Sequence, residues 1–216
     1  MKKLFSIAVI LCMFVALFAM LVSCEGADDL LANGLSQEAW EEALEEERFD
    51  NVTIESKGTT VDTGIASTQV IKISGDKVYR TATAMGTTQS IIFSGNEATI
   101  QREMFLQVML SILAEQGDFE YDTEEQVYLS KNAISKVVDT NGGMKDHVTM
   151  TSGKVRFNSK GDLIYFECTL EEKIYQGETL VMEQTNDTVW NFKDYGSTEI
   201  TAAEIDGAID GNALIG

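Results

Sequence analysis

The segment that most limits the fold lies in the middle of the chain. From Met104 to Leu113, eight of ten residues are apolar, the exceptions being Gln107 and Ser111. Those two are four positions apart, and Glu103 and Glu115 extend the same stripe along a helix. A helix over 103–116 with one thin polar stripe has to bury most of its circumference. It therefore needs a concave or two-sided apolar surface to receive it.

The flanking sequence supplies strands. Val, Ile, Thr and Tyr dominate 50–102, with candidate strands at 51–57, 67–74, 77–84, 88–94 and 97–102. Ser74-Gly75-Asp76-Lys77 and Ser94-Gly95-Asn96-Glu97 read as hairpin turns, so this block predicts an antiparallel meander. After Gly117, Phe119 and Tyr121 alternate, strand signals recur at 126–130 and 134–139, and Asn141-Gly142-Gly143 marks a loop. The clearest hairpin joins 147–157 to 162–172 through Asn158-Ser159-Lys160-Gly161. On its second arm, period two puts Ile164, Phe166, Cys168 and Leu170 on one face and Leu163, Tyr165, Glu167 and Thr169 on the other. A last strand over 179–192 sets Thr188, Trp190 and Phe192 on one side. A bulge is expected at Asn186-Asp187, and 194–200 then closes the sheet. Ahead of the strands, Ser36 is the N-cap expected for an amphipathic helix over 36–48, with Glu38, Glu41, Glu42, Glu45, Glu46 and Glu47 on its solvated face. The expected fold class is α+β: a strongly curved antiparallel sheet, a half-barrel, packed on an apolar helix, with a short N-terminal amphipathic helix. Residues 36–200 form its single domain, and 201–216 read as a flexible or partly docked tail.

Charge and residue counts narrow the chemistry. With 35 Asp and Glu against 16 Lys and Arg, the formal charge is −19. That argues against nucleic acid and against adsorption to anionic lipid heads, both of which need clustered cations. One His and three Cys leave almost no ligand set for zinc or copper, and no cofactor is expected. His147 is the only imidazole, and its neighbour Asp146 is adjacent in sequence, where a His-orienting carboxylate has to be near in space. No Walker, Rossmann, HExxH or GxSxG pattern occurs, so no catalytic residue is assigned and the chain is not expected to be an enzyme. Cys168, in an apolar row, reads as an inert buried thiol.

The N-terminus carries an address. Lys2 and Lys3 precede Leu4 to Val22, nineteen residues without a charge. That length suffices for a membrane span. The run ends, however, in Leu21-Val22-Ser23-Cys24, which resembles the bacterial lipobox. The resemblance implies a signal peptide over 1–23, cleavage before Cys24 and diacylation of its sulfur. The anchor then holds the protein in the cell membrane, facing outside the cytoplasm. An uncleaved signal anchor is the other reading of the same run. Residues 24–35 form an acidic tether. With Cys12 removed and Cys24 lipidated, Cys168 has no intrachain disulfide partner.

The mature part resembles uncharacterised lipoproteins that share the half-barrel fold of lipoprotein carriers (LolA-like) and mycobacterial lipid-binding lipoproteins. The matching pieces are Trp40 to Thr53, Ser-Gly-Asp-Lys-Val-Tyr at 74–79, the 154–166 hairpin, and Phe192-Lys193-Asp194-Tyr195-Gly196 followed by Thr198 and Ile200. A Pro frequent near the end of that pattern is absent, since this chain has none. The resemblance implies a sheet wrapped around a helix-covered cavity that takes acyl chains. Candidate lining residues are Phe105, Met109, Leu110 and Leu113 from the helix, with Ile164, Phe166 and Trp190 facing them. Two functions stay open. One is binding of a lipid or other hydrophobic or amphiphilic ligand in the cavity. The other is an envelope scaffold with a filled core, whose acidic surface prefers a basic envelope protein. Volume separates them. The row Val78, Arg80, Ala82, Ala84 is small on one face of its strand, which favours space.

Overall fold

The computed structural model describes residues 34–140 and 144–215. The signal segment, Cys24, the tether up to Asn33 and the Asn141-Gly142-Gly143 loop lie outside the described residues. Helix α1 (Gln37–Ala43) and a 3-10 turn (Glu46–Phe49) lead into β1 (Asn51–Thr60), β2 (Ile65–Ser74), β3 (Lys77–Ala84) and β4 (Thr87–Ser94). Helix α2 (Asn96–Leu113) follows. After it come β5 (Phe119–Asp122), β6 (Val127–Ser130), β7 (Ile134–Thr140), β8 (Met144–Phe157), β9 (Leu163–Gln176) and β10 (Thr179–Lys193). Helix α3 (Ala202–Gly207), β11 (Ile209–Asp210) and α4 (Asn212–Ile215) complete the order. The strands form one open sheet, β11-β4-β3-β2-β1-β10-β9-β8-β6-β5, with β7 also paired to β8. The fold is α+β. The sheet is mixed, because β11 runs parallel to β4.

Register explains how this sheet makes both a core and a site. Ile54 of β1 lies between Ile71 of β2 and Phe192 of β10. Two residues on, Ser56 lies between Gln69 and Trp190, and then Gly58 between Ser67 and Thr188. All of these share one face, since strand side chains alternate. The face is thus apolar at one end of the strands and polar at the other. The apolar end, with Val52, Ile54, Ile73, Phe93, Val155, Phe157, Phe166 and Phe192, is buried in one core cluster. Into that cluster α2 sends Ala98, Leu106, Met109, Ile112 and Leu113.

Helix α2 differs from expectation in two ways. It begins at Asn96, so 97–102 is its first turns and not a strand. Ala98 continues the helical phase of Leu106 and Met109, and the free edge of β4, which a 97–102 strand would need, is taken by β11. Ser94-Gly95-Asn96-Glu97 is therefore a strand-to-helix turn, with Gly95 at φ 62°. The helix is also less enclosed than one thin polar stripe implies, for Met104 is 43% exposed.

Three bulges interrupt the long strands. Register shifts leave Thr151 of β8, Ile164 of β9 and Val181 of β10 without cross-strand partners. A bulge bends its strand and raises the local twist. The expected bulge at Asn186-Asp187 is absent, since these residues pair regularly with Leu170 and Thr169. Nor does 194–200 join the sheet. Its Thr198 packs on Thr53, an outward-facing residue of β1, with Oγ1 atoms 2.9 Å apart. The Asn51 side chain accepts from the Thr198 N–H at 2.6 Å and donates to its carbonyl at 3.2 Å. The segment is a strap across the outer face. Beyond it, a capping box starts α3, Lys72 pairs with Glu204 at 2.7 Å, and the Gly211 N–H bonds the Ile92 carbonyl at 2.7 Å. The tail is thus docked along the β4 edge.

Helix α1 is shorter than expected, but its N-cap is Ser36, and its Glu residues face solvent. Its inner residue, Trp40, is fully buried against Phe119, Tyr128 and Phe157. The indole donates to the Leu113 carbonyl at 2.8 Å. That carbonyl belongs to the last turn of α2, where helix oxygens lack partners of their own. Trp40→Phe should cost about 1–3 kcal/mol, because a buried acceptor is left unpaired. Trp40→Ala should cost more, about 3–5 kcal/mol, by adding a cavity. Urea denaturation of both variants checks the ordering.

Candidate functional site: a groove on the inner face

The polar end of the inner face is a groove of about 510 Å³. Its floor is Ser56, Gly58 and Thr60 of β1, Ser67 and Gln69 of β2, Arg80 of β3, and Gln184, Asn186, Thr188 and Trp190 of β10. Leu170 and Glu172 of β9 form one side, and Gln101, Met104 and Phe105 of α2 overhang it. Gly58 deepens the floor. The nearest atoms to a Cβ built there would be Thr188 Oγ1, the Asp187 carbonyl and Ser67 Oγ at 3.4–3.7 Å, so this glycine leaves room without any strained backbone.

Of the seven expected lining residues, Phe105 and Trp190 reach this groove. Trp190 stacks on Phe166 with ring centroids 5.1 Å apart. Met109, Leu113 and Phe166 are instead buried in the filled core, and Leu110 packs against it half-buried. Ile164 leaves the expected row altogether. The bulge shifts the phase of β9, so Leu163 takes the core position and Ile164 is half-exposed. The space therefore lies toward the first half of α2, not beneath its second half. Arg80, Gly58 and Glu172 were not expected at a site. The isolated glycine within a strand pattern was the one available signal.

A second depression, about 590 Å³, has Lys57, Thr59, Thr68, Glu167, Thr169 and Asp187 among its lining and no aromatic residue. It lacks the apolar overhang of the inner groove.

Polar chemistry around the groove is partly satisfied. Glu172 accepts from Gln184 Nε2 at 2.7 Å and Asn186 Nδ2 at 2.9 Å. Arg80 Nε donates to Gln69 Oε1 at 3.1 Å, and desolvation lowers the guanidinium pKa from its ordinary value. Cys168 is buried, and desolvation, reinforced by Glu172, Asp187 and Glu167, pushes its thiol far up. It is an inert core residue. His147 faces solvent beside the Tyr175 ring at 4.9 Å, while its neighbour Asp146 is buried on the inner face. Period two thus keeps the two side chains on opposite faces. Among the described residues, no group of three His, Cys, Asp or Glu is placed to hold a metal, and no helix is long and apolar enough to cross a membrane.

Asp146 gives the site region a measurable pH dependence. Its Oδ1 lacks a hydrogen-bond partner, and burial, then the nearby Glu172 charge, push its pKa up to about 6, with His147 opposing. A folded pKa above the unfolded value means stability that is fully present below the unfolded pKa and lost as pH rises through the folded one. Between pH 4 and 6.5, wild type should lose on the order of 2 kcal/mol relative to Asp146→Asn. Denaturation midpoints of both proteins across that range check it. No family model matches this chain, and comparison with curated proteins finds no match, so the reading of the groove rests on its own geometry.

Proposed function

We propose that this protein is a lipid-anchored module, held at the cell membrane outside the cytoplasm, that binds a hydrophobic or amphiphilic ligand in the inner groove. The observation that carries this reading is the two-sided lining: apolar Met104, Phe105, Leu170 and Trp190 against polar Ser56, Gln69, Asn186 and Thr188. Apolar area covered there contributes about 25 cal/mol per Å². The polar wall fixes orientation, as in other ligand clefts of this size. Cys24 is the proposed attachment point, and two acyl chains on it give stable anchoring. The anchor keeps the groove near membrane-derived ligands and raises their effective concentration. The module acts by binding, not catalysis.

A half-barrel sheet belongs to the same proposal. The backbone of α2 comes close to β3 and β4 on one side of the sheet order and to β7 on the other. A helix that approaches both sides acts as a chord across a trough, and the bulges in β8, β9 and β10 favour the bend. The filled core around Met109, Leu113 and Phe166 supports the second reading, a scaffold for another envelope protein.

Photolabelling separates the two. The full chain, in phosphatidylcholine nanodiscs, is exposed to diazirine-bearing octanol or octanoate, and labelled peptides are mapped by mass spectrometry. Labelling by either probe should fall on Met104, Phe105 or Trp190. Gly58→Leu, which fills the groove floor, should abolish it. Groove labelling no higher than at the outward Val137 would overturn the binding reading and leave the scaffold.

A further inference from the structure

Arg80 is the one cation among the residues that line the groove. It stands on the inner face of β3, opposite Ile71 of β2 and Ile91 of β4. Arg48, Lys72, Arg102, Lys173 and Lys193 each hold a carboxylate, while Arg80, like several surface lysines, is in no ion pair; what sets it apart is its place on the groove floor. Among the described residues no carboxylate pairs with Arg80, in a chain with 35 acidic side chains. Its nearest polar partner in the groove is the neutral Gln69 amide. Arg80 is exposed to solvent and carries no paired carboxylate, so its guanidinium is available to an anion that enters the groove. A guanidinium matches oxyacid geometry with two parallel hydrogen bonds.

Size limits the rest of the ligand. At about 30 Å³ per water-sized group, a groove of 510 Å³ takes on the order of 17 such groups. That is about the volume of one long acyl chain. From Arg80 on β3 to Trp190 on β10 is three strand spacings across and two residues along, about 16 Å of sheet. Phe105 and Met104 overhang the path between them. Glu172 sits further along the groove and is already held by two amides, so a second anionic group finds no partner there.

Building on the binding reading above, we propose that the ligand is a single-chain amphiphile with an anionic oxyacid head. The Arg80 guanidinium holds the head, and the chain runs past Phe105 and Met104 toward Trp190.

The test uses the full chain in phosphatidylcholine nanodiscs. Phenylglyoxal modification of Arg80 is followed by peptide mass spectrometry. Arg156, whose guanidinium lies over the Tyr165 ring at 5.6 Å and outside the groove, is the internal control. Octanoate should protect Arg80 at concentrations about tenfold or more below those needed of 1-octanol or acetate, while Arg156 stays reactive. In Arg80→Gln, groove labelling by the diazirine octanoate should fall about tenfold and labelling by the diazirine octanol should not change. Arg80→Lys should recover part of the loss. Equal labelling by both probes in wild type, unchanged in Arg80→Gln, would overturn this inference and leave the binding function standing. Protection by acetate equal to that by octanoate would reduce Arg80 to a simple anion site and overturn the amphiphile. Groove labelling by neither probe would overturn both. If Arg80→Gln unfolds, as a thermal melt would show, the wild-type protection series decides alone.

Discussion

The indole of Trp40 joins parts of the chain that local propensity cannot bring together. Its ring lies 5.3 Å from Phe119, 4.9 Å from Tyr128 and 5.0 Å from Phe157, and its N–H closes the last turn of α2 through the Leu113 carbonyl. One side chain therefore ties the N-terminal helix, the end of the long helix and strands β5, β6 and β8. At the other end of α2, Arg102 pairs with Asp50, and Ala98 is buried in the core. The helix is held at its two ends, and Met104 and Phe105 in between overhang the polar half of the sheet. The groove follows from that arrangement. A helix packed down along its whole length would need apolar residues where Ser56, Gln69 and Thr188 stand.

Much of this was legible from residue order. The hairpins at Ser74-Gly75-Asp76-Lys77 and Asn158-Ser159-Lys160-Gly161 declare themselves through turn chemistry, and Ser36 through capping. The reading of 97–102 as a strand failed because a six-residue segment shows alternation and helical phase equally well. What decides it is the edge of β4, and that edge is occupied by a piece of chain more than a hundred residues away. The bulges were also out of reach at their true positions. Gly153 in β8 hints at one, since a Cβ there would meet Met150 Sδ at 2.5 Å. Ile164 lost its expected place for the same reason, for a single inserted residue flips every side chain beyond it. The strap over 194–200 depends on a pairing of Asn51 with Thr198 across 147 positions, which no local pattern announces.

An open space beside the helix was legible, but not its place. An apolar helix facing a small strand row pointed to space between them, and Phe105 and Trp190 do border that space. Met109, Leu113 and Phe166 carry the same apolar signal as groove residues, but they fill the core. Apolar identity alone does not distinguish a lining from a packing. The polar residues do. Ser56, Gly58, Gln69, Arg80 and Thr188 occupy inner-face positions on four neighbouring strands, β1, β2, β3 and β10. At outward positions such residues would need no explanation. Contiguous and inward, they break the alternation that the same strands keep at their other ends. Breaks of this kind concentrate where a surface has work other than folding.

The two faces of β1 sharpen that argument. On the outer face Thr53 is a polar residue that could have stayed in water, yet the strap buries it with Thr198 to about the exposure of a core residue, 4% for each. The chain thus has enough length and hydrogen-bonding capacity to cover polar sheet surface, and it spends both on the outer side. On the inner side the floor around Gly58 stays open although Met104 and Phe105 already overhang it. The scaffold reading accounts for the filled core but not for an inward polar row left uncovered beneath an apolar overhang, which the proposed binding reading does account for. A binding groove needs both, because the overhang takes the apolar part of a ligand and the row orients the rest.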